Sequence, residues 1–268
     1  MTQLNDTFLQ SLIARFNRPG VIGICIAGSY TRGMQDEYSD VDLELYVDEL
    51  PEEDYALQLF DEKLVSVKYL RLADEVSALK KPERAVWAVS GLSNMKILLD
   101  KDGGLAALKQ AAKDFHWKAL QPLADKYAIE ELSGCAEEAH KIMSGLKSDN
   151  ESKVLYASWG MFKNLSFAAL VQAGLMIQSE NRAFAIIEDH YRASHPAWTH
   201  AFRLGFGMDV EAGVPAYKTR GYASLDLYEE TATLFKGIID DKHREVIENT
   251  LQLIATFKGK PQINSDRH

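Results

Sequence analysis

Residues 26–47 decide the fold and read IAGSYTRGMQDEYSDVDLELYV. An apolar strand ends at Gly28 and Ser29, and a second strand follows in which apolar and acidic side chains alternate. Side chains two residues apart on a strand point to the same side, so Asp40, Asp42 and Glu44 are predicted on one face. The Cα atoms of Asp40 and Asp42 then lie roughly 6.6 Å apart.

Two carboxylates at that separation can converge on one hard cation. Mg²⁺ is usually held by only one or two protein carboxylates, while water and substrate phosphate oxygens fill its other positions. A bound cation also removes the repulsion between acids on one strand face. Asp40 and Asp42 are therefore predicted to bind Mg²⁺ together with a nucleotide. The alternative is a solvated strand face, on which alternating acids are common.

The turn before the acidic strand can supply phosphate contacts. Backbone N–H groups at Gly28 and Ser29 can face phosphates, most effectively where a helix begins. The Ser29 hydroxyl and the Arg32 guanidinium would add charge-assisted hydrogen bonds. Because the acids follow a strand, a Gly-Ser turn and a short polar helix, the nucleotide site is favoured over the solvated face.

The N-terminal half mixes helix and strand patterns around this stretch. Apolar residues recur at helical spacing over 4–16, and Arg-Pro-Gly at 18–20 ends that helix. Residues 21–27 are predicted to form a buried strand. In 41–47 and 63–71 apolar and polar residues alternate, which predicts two half-buried strands. Residues 95–104 contain a short strand ended by a turn. The pattern predicts a mixed β-sheet with flanking helices.

From Gly104 onward the sequence indicates helices and no convincing strand. Apolar residues recur at spacings of three and four over 151–177, which predicts one packed helix face. The expected fold is α+β, with a mixed α/β domain at 1–120 and a helical bundle at 121–268. The predicted helical stretches are 104–117, 121–146, 151–177, 182–193 and 222–257.

The composition of the chain limits the classes of molecule that it is expected to bind. The 268-residue chain has a net charge of −9, so it lacks the basic surface that a nucleic-acid phosphate backbone requires. A cationic small molecule is compatible with that charge. Cys25 and Cys135 lie far apart in apolar or helical patterns and are interpreted as core residues. No segment is long and apolar enough to cross a bilayer, and a soluble cytoplasmic protein without a membrane partner is expected.

The stretch at 26–47 resembles the signature of the DNA polymerase β-like nucleotidyltransferase superfamily. That signature is Gly-Ser, a spacer, and Asp-x-Asp or Asp-x-Glu on the next strand; the matching residues are Gly28, Ser29, Asp40 and Asp42, with Ser39 before the first acid. Within the superfamily the chain is most similar to aminoglycoside nucleotidyltransferases of the kanamycin type. The resemblance spans roughly residues 20–190.

The resemblance implies transfer of a nucleoside monophosphate from Mg²⁺-NTP to a hydroxyl of a small molecule, with an aminoglycoside-like antibiotic as the expected acceptor. ATP is the expected donor, and other NTPs stay open. By the same analogy Asp40 and Asp42 hold the metal, while Ser29 and Arg32 contact the triphosphate within a motif that includes Gly28 and Ser39. The resemblance further implies that 1–120 is the nucleotidyltransferase catalytic domain, that 121–268 is a helical substrate-binding domain, and that the protein forms a homodimer.

The resemblance also implies a proton acceptor on the first long helix of the C-terminal half. In kanamycin-type enzymes this is a glutamate followed one turn later by a lysine, and Glu137 and Lys141 have that spacing here. Residues at i and i+4 share a helix face, so Glu137 could accept the proton while Lys141 meets phosphate. The alternative is a surface ion pair.

The chain departs from the family at one position. Members usually carry a third acid on the strand that corresponds to residues 63–71, where Ser66 stands here, followed by Lys68 on the same face. Glu44 lies about 13 Å along its strand from Asp40 and is expected to form a pocket wall instead. The departure leaves two further hypotheses: a nucleotide-binding regulatory protein that has lost turnover, and an enzyme that nucleotidylates a protein.

Overall fold

The computed structural model describes residues 4–259. The chain divides into two units. The first unit contains the described residues up to Leu120 together with Met176–Ala183, and the second contains Gln121–Leu175 and the described residues from Phe184 onward. The first unit therefore takes a short segment from the second half of the sequence, which the helical pattern at 151–177 did not indicate.

The first unit is built on a five-stranded mixed sheet with the strand order β3-β4-β2-β1-β5. The central strands β2 and β4 are parallel, and the other neighbours are antiparallel. The strands are β1 Val21–Ile26, β2 Val41–Val47, β3 Tyr55–Phe60, β4 Lys63–Leu70 and β5 Lys96–Asp100. The helices are α1 Asp6–Phe16, α2 Gly28–Arg32, α3 Leu72–Ala78, α4 Pro82–Asn94 and α5 Gly104–Lys113.

Strand β2 has two chemically different faces, as its alternation predicts. Val41, Leu43 and Leu45 are buried in a core that also contains Phe8 and Leu12 of α1. On the opposite face, Tyr46 belongs to a second core with residues of α4 and α5. Asp42 and Glu44 precede Tyr46 on that face, so the sheet fixes the acids at one end of a buried apolar layer.

All the regular secondary structure in the described residues of the second unit is helical. Its longest helix packs a buried face that includes Val154, Met161 and Leu165. The Trp198 indole stacks on Phe202 and donates a hydrogen bond to Thr231. The helices are α6 Gln121–Gly134, α7 Ala136–Lys147, α8 Glu151–Gln172, α9 Ala183–Tyr191, α10 Pro196–Phe206, α11 Ala216–Leu234 and α12 Asp241–Phe257.

The predicted fold class is confirmed: a mixed sheet with flanking helices precedes a helical half. Cys25 and Cys135 are confirmed as buried free thiols. Within residues 4–259, no helix is long and apolar enough to cross a membrane.

Several predicted elements were wrong. The helix predicted at 151–177 ends at Gln172, because Gly174 adopts a positive φ of 65°. The stretch 222–257 is two helices, and Asp240 caps the second by accepting a hydrogen bond from the His243 N–H. Helix α10 was not predicted; it begins at Pro196, and proline is well tolerated in the first turn of a helix.

Candidate functional site

The bend between β1 and β2 lies directly beside the acidic strand. The Ala27 N–H donates a hydrogen bond to the Asp42 carbonyl at 2.9 Å, which ties the end of β1 to the start of β2. Helix α2 begins one residue later at Gly28, and Gly33, with a φ of 65°, caps its C-terminal end. The predicted bend and short polar helix are therefore present next to the predicted acids.

Gly28 is required at this bend for two reasons. Its φ is +66°, which residues with a Cβ rarely adopt. A Cβ at this position would also overlap the Asp42 carboxylate. The absent side chain therefore lets the carboxylate lie against the backbone where α2 begins.

Ser66 holds the other side of the same carboxylate. Asp42 and Ser66 are register partners on the parallel strands β2 and β4, and the Ser66 hydroxyl donates to Asp42 Oδ1 at 3.1 Å. Ser66, at the position where the resemblance leads one to expect a third acid, thus supplies a hydrogen-bond donor instead. A donor to a carboxylate favours the ionised form of that carboxylate.

The pKa of Asp42 is nevertheless raised. Burial is the main cause, and the negative charge of Asp40 adds to it, while the Ser66 hydrogen bond and the Arg32 charge act in the opposite direction. The charge of Glu180 raises the pKa further. A bound cation would offset these unfavourable contributions, because it favours the charged form of the acid.

These residues open onto a cavity of about 570 Å³. All of its lining residues belong to the first unit. They are Ser29, Arg32, Asp36, Tyr38, Ser39, Asp40, Asp42, Trp87, Gly91, Ile177, Gln178, Ser179, Glu180 and Asn181. Five of them were predicted as site residues, and their individual roles stay predictions: Ser29, Arg32, Ser39, Asp40 and Asp42. Gly28, which was also predicted, lies against Asp42.

Arg32 provides a cation in this cavity. Its Nε is buried and has no hydrogen-bond partner. Within the described residues, the Arg32 guanidinium forms no ion pair. An unsatisfied buried donor is costly, and a phosphate oxygen is the kind of acceptor that a guanidinium binds most strongly.

The loop before Asp40 is held by its own side chains. Asp36 Oδ1 accepts hydrogen bonds from the Tyr38 N–H at 2.9 Å and from the Ser39 hydroxyl at 3.0 Å. The Ser39 hydroxyl in turn accepts from the Asp36 N–H at 2.9 Å. Ser39 therefore shapes the loop that delivers Asp40, in addition to lining the cavity.

The pair Asp40 and Asp42 fits a divalent ion that takes two protein carboxylates and completes its shell with water and phosphate oxygens. In residues 4–259, no three His, Cys, Asp or Glu side chains are grouped so that they could hold one metal ion. The absent side chain at Gly28 leaves room for the Asp42 carboxylate, and Arg32, whose Nε has no hydrogen-bond partner, lines the same cavity.

Sequence reasoning missed the wall of the cavity formed by Trp87 and residues 177–181. The Ile177 N–H donates to the Val86 carbonyl at 2.7 Å, and the Ile177 side chain is buried, so this segment is anchored on α4. The available signal was Gly174 followed by the polar run at 178–181. That run breaks the helical pattern before the next helix.

The expectation that Glu44 forms a pocket wall was wrong. Glu44 is absent from the cavity lining and accepts a hydrogen bond from the Cys25 thiol at 3.4 Å. Burial raises the pKa of Glu44 and that of the Cys25 thiol. On the acidic face of β2, Asp42 therefore lines the cavity, whereas Glu44 does not and is buried.

Glu137 and Lys141 lie on α7 in the second unit. Their side chains form an ion pair at 2.8 Å, and Lys141 also contacts Glu138 at 3.1 Å. The Lys141 hydrogen bond lowers the pKa of Glu137. Glu137 also lines a second cavity of about 370 Å³ with His140 and Glu245. The catalytic role of Glu137 and the phosphate contact of Lys141 stay predictions.

Two comparisons with known proteins found similarity to this chain. Residues 7–98 match the nucleotidyltransferase domain family, a range that contains Gly28, Asp40, Asp42 and Ser66. No curated protein sequence matches the chain. The crystal structure of a nucleotidyltransferase-like protein from Exiguobacterium sibiricum has a TM-score of 0.50 at 15% identity. The alignment covers 96% of this chain and 82% of that chain, and at this identity it shows the fold alone.

Proposed function

We propose that this chain, whose residues 7–98 match the nucleotidyltransferase domain family, transfers a nucleoside monophosphate from a metal-bound NTP to a hydroxyl group. The observation that supports this most directly is the shared cavity of Asp40, Asp42 and the unpaired Arg32. The two acids can bind a metal cation and the arginine can bind phosphate, so together they match the charges of a metal-bound triphosphate. ATP is the proposed donor and Mg²⁺ the proposed ion.

Each residue has a defined task in this proposal. Asp40 and Asp42 would hold the ion, which when bound neutralises phosphate charge. Arg32 donates hydrogen bonds to phosphate oxygens, and the Ser29 hydroxyl adds one at the bend. Phosphoryl-group transfer depends mainly on alignment and charge stabilisation, so a rigid bend and two fixed carboxylates suit it.

The proposed acceptor is a small molecule that carries a hydroxyl and positive charge, of the aminoglycoside type. Beyond the metal pair, the cavity presents the carboxylates of Asp36 and Glu180. The whole chain has a net charge of −9, which attracts cationic molecules. Both observations support a cationic acceptor.

A second candidate is nucleotide binding without turnover, and Ser66 motivates it. Ser66 is buried opposite Asp42, where the family usually carries an acid. If that acid is indispensable, the chain would bind NTP and release no pyrophosphate. An enzyme that nucleotidylates a protein is the third possibility.

One experiment separates these functions. The protein is incubated with Mg²⁺, ATP labelled at the α-phosphate and a panel of aminoglycosides, with a cell extract in parallel. Label on an antibiotic supports the proposal, and label on a protein supports the third possibility. ATP binding without pyrophosphate release supports the second candidate. The remaining NTPs are tested in the same way.

A variant pair tests the metal residues. The double substitution Asp40→Asn and Asp42→Asn should abolish transfer and Mn²⁺ binding, because an amide is a far weaker ligand for a hard cation. Asp48→Asn is the matched control, since Asp48 is an exposed acid just beyond β2 and outside the cavity lining. Unchanged transfer in the double variant would contradict the proposal.

A further inference from the structure

The cavity of the first unit contains a carboxylate that neither the metal pair nor the 36–40 loop uses. Of the acids that line the cavity, Asp40 and Asp42 are assigned to the ion, and Asp36 accepts hydrogen bonds from within its own loop. No hydrogen bond or ion pair within residues 4–259 engages the carboxylate of Glu180. Glu180 is therefore the remaining acid in this cavity.

The position of Glu180 is determined by backbone contacts within the first unit. Its segment is anchored on α4 by the hydrogen bond from Ile177 to Val86 and by the buried Ile177 side chain. The Arg182 N–H donates to the Ser179 carbonyl at 2.9 Å, which closes a tight turn around Glu180. The turn holds the Glu180 backbone at the cavity wall.

Glu180 lies within electrostatic range of the metal pair without joining it. Its charge contributes to the raised pKa of Asp42. Within residues 4–259, however, no three carboxylates are close enough to share one ion. Glu180 therefore shares with the pair a cavity of about 570 Å³, which is large enough to hold reacting groups.

We propose that Glu180 accepts the proton of the attacking hydroxyl in this reaction; the role rests on the proposed function. The hydroxyl O–H bond breaks and its proton passes to a Glu180 carboxylate oxygen. The hydroxyl oxygen forms a bond to the α-phosphorus, and the bond from the α-phosphorus to the bridging oxygen breaks. Pyrophosphate leaves with that electron pair. The products are the nucleotidylated acceptor, pyrophosphate and a protonated Glu180 that later releases the proton to water.

The chemistry of the two candidate glutamates favours Glu180 over Glu137. The Glu137 carboxylate is paired with Lys141 at 2.8 Å, and this hydrogen bond lowers its pKa. A carboxylate with a lowered pKa is a weaker proton acceptor. Glu180 has no such cationic partner within the described residues.

The test compares Glu180→Gln with wild type. The assay follows pyrophosphate release from MgATP. Water serves as the simplest acceptor of the nucleotide, and each molecule that becomes labelled in the experiment above is tested as a further acceptor. A lost general base lowers kcat by about 10²- to 10⁴-fold, and this is the expected loss. Binding of α,β-methylene-ATP with Mg²⁺, measured by calorimetry, should stay within about twofold of wild type, because a base acts on the chemical step. Glu151→Gln, an exposed glutamate that begins α8, is the control.

Each other outcome overturns the role. Wild-type kcat in Glu180→Gln rules it out, and a loss of kcat in Glu137→Gln alone returns the role to Glu137. If analogue binding falls as much as kcat, Glu180 binds nucleotide or metal. If only the KM for cationic acceptors rises and water-dependent release is unchanged, Glu180 recognises positive charge. If wild type releases no pyrophosphate with any acceptor, the proposed function fails and this role fails with it.

Discussion

The carboxylate of Asp42 is held between Gly28 and Ser66. One oxygen, Oδ2, lies where a Cβ on Gly28 would be, and the other, Oδ1, accepts a hydrogen bond from the Ser66 hydroxyl at 3.1 Å. Both oxygens are therefore positioned by residues of neighbouring elements. This arrangement explains why the glycine at the bend and the acid on the strand form one functional unit, and two predictions follow from its two sides.

Gly28→Ala should weaken Mn²⁺ binding by at least about tenfold, because the new Cβ displaces the Asp42 carboxylate. The same substitution at Gly33 provides a matched control. Gly33 has a φ of +65°, close to the +66° of Gly28, but a Cβ there meets no atom within 4 Å. Both variants should lose about 1–2 kcal/mol of unfolding free energy from backbone strain. Equal Mn²⁺ affinities in the two variants, measured by electron paramagnetic resonance, would contradict the displacement.

Ser66→Ala should weaken Mn²⁺ binding by about three- to tenfold. The lost hydrogen bond is worth roughly 0.5–1.5 kcal/mol, and it favours the ionised form of Asp42 that binds the cation. Ser66→Thr keeps a hydroxyl at this position and should stay near the wild-type affinity. If the alanine and threonine variants bind Mn²⁺ equally well, the hydroxyl has no part in orienting Asp42.

A third prediction concerns pH. The pKa of Glu75 is raised, because its burial outweighs the attraction of Lys68 and of Arg84, whose guanidinium is 3.7 Å away. A raised folded-state pKa means that stability present below the ordinary value of 4.5 is lost as the pH rises through the folded-state pKa. Glu75→Gln cannot ionise, so its unfolding free energy should exceed that of wild type at neutral pH.

Urea unfolding of Glu75→Gln and wild type across the acid-to-neutral range measures this difference. The advantage of the glutamine variant should grow as the pH rises and should shrink again toward acid pH. Glu52→Gln, at an exposed loop position, should change stability little at any pH. A glutamine variant that is less stable than wild type at neutral pH would show that the Arg84 contact outweighs burial.

The sequence was most informative where local pattern and burial agree. Strand β2 was predicted from the alternation of apolar and acidic residues. In the structure, Val41, Leu43 and Leu45 are buried on one face, and Asp42 and Glu44 lie on the other. Strand β3 was missed although Tyr55, Leu57 and Leu59 alternate, because it follows an acidic loop. These three side chains are 54–76% exposed, so the strand lacks the buried apolar face that identifies the others.

The same distinction separates the predicted from the missed site residues. Ser29, Asp40 and Asp42 are close in sequence, and the short connection from β1 through α2 to β2 brings them into one cavity. Glu180 and Trp87 reach the cavity because the 176–183 segment packs on α4, and that contact depends on tertiary structure. A periodicity argument cannot predict where such a segment docks, although the glycine at 174 does indicate that the helix ends.

The last prediction tests packing in the helical unit with two helical glycines. A Cβ on Gly205 of α10 would overlap the ring of Phe162, so Gly205→Ala should destabilise the protein by about 1–3 kcal/mol through overpacking. A Cβ on Gly160 of α8 meets only Glu138 side-chain atoms, the nearest at 3.8 Å, which is ordinary contact. Gly160→Ala should therefore stabilise by about 0.5–1 kcal/mol, because alanine favours the helix. Urea unfolding should give shifts of opposite sign, and shifts of the same sign would mean that helix propensity, rather than the Phe162 contact, controls position 205.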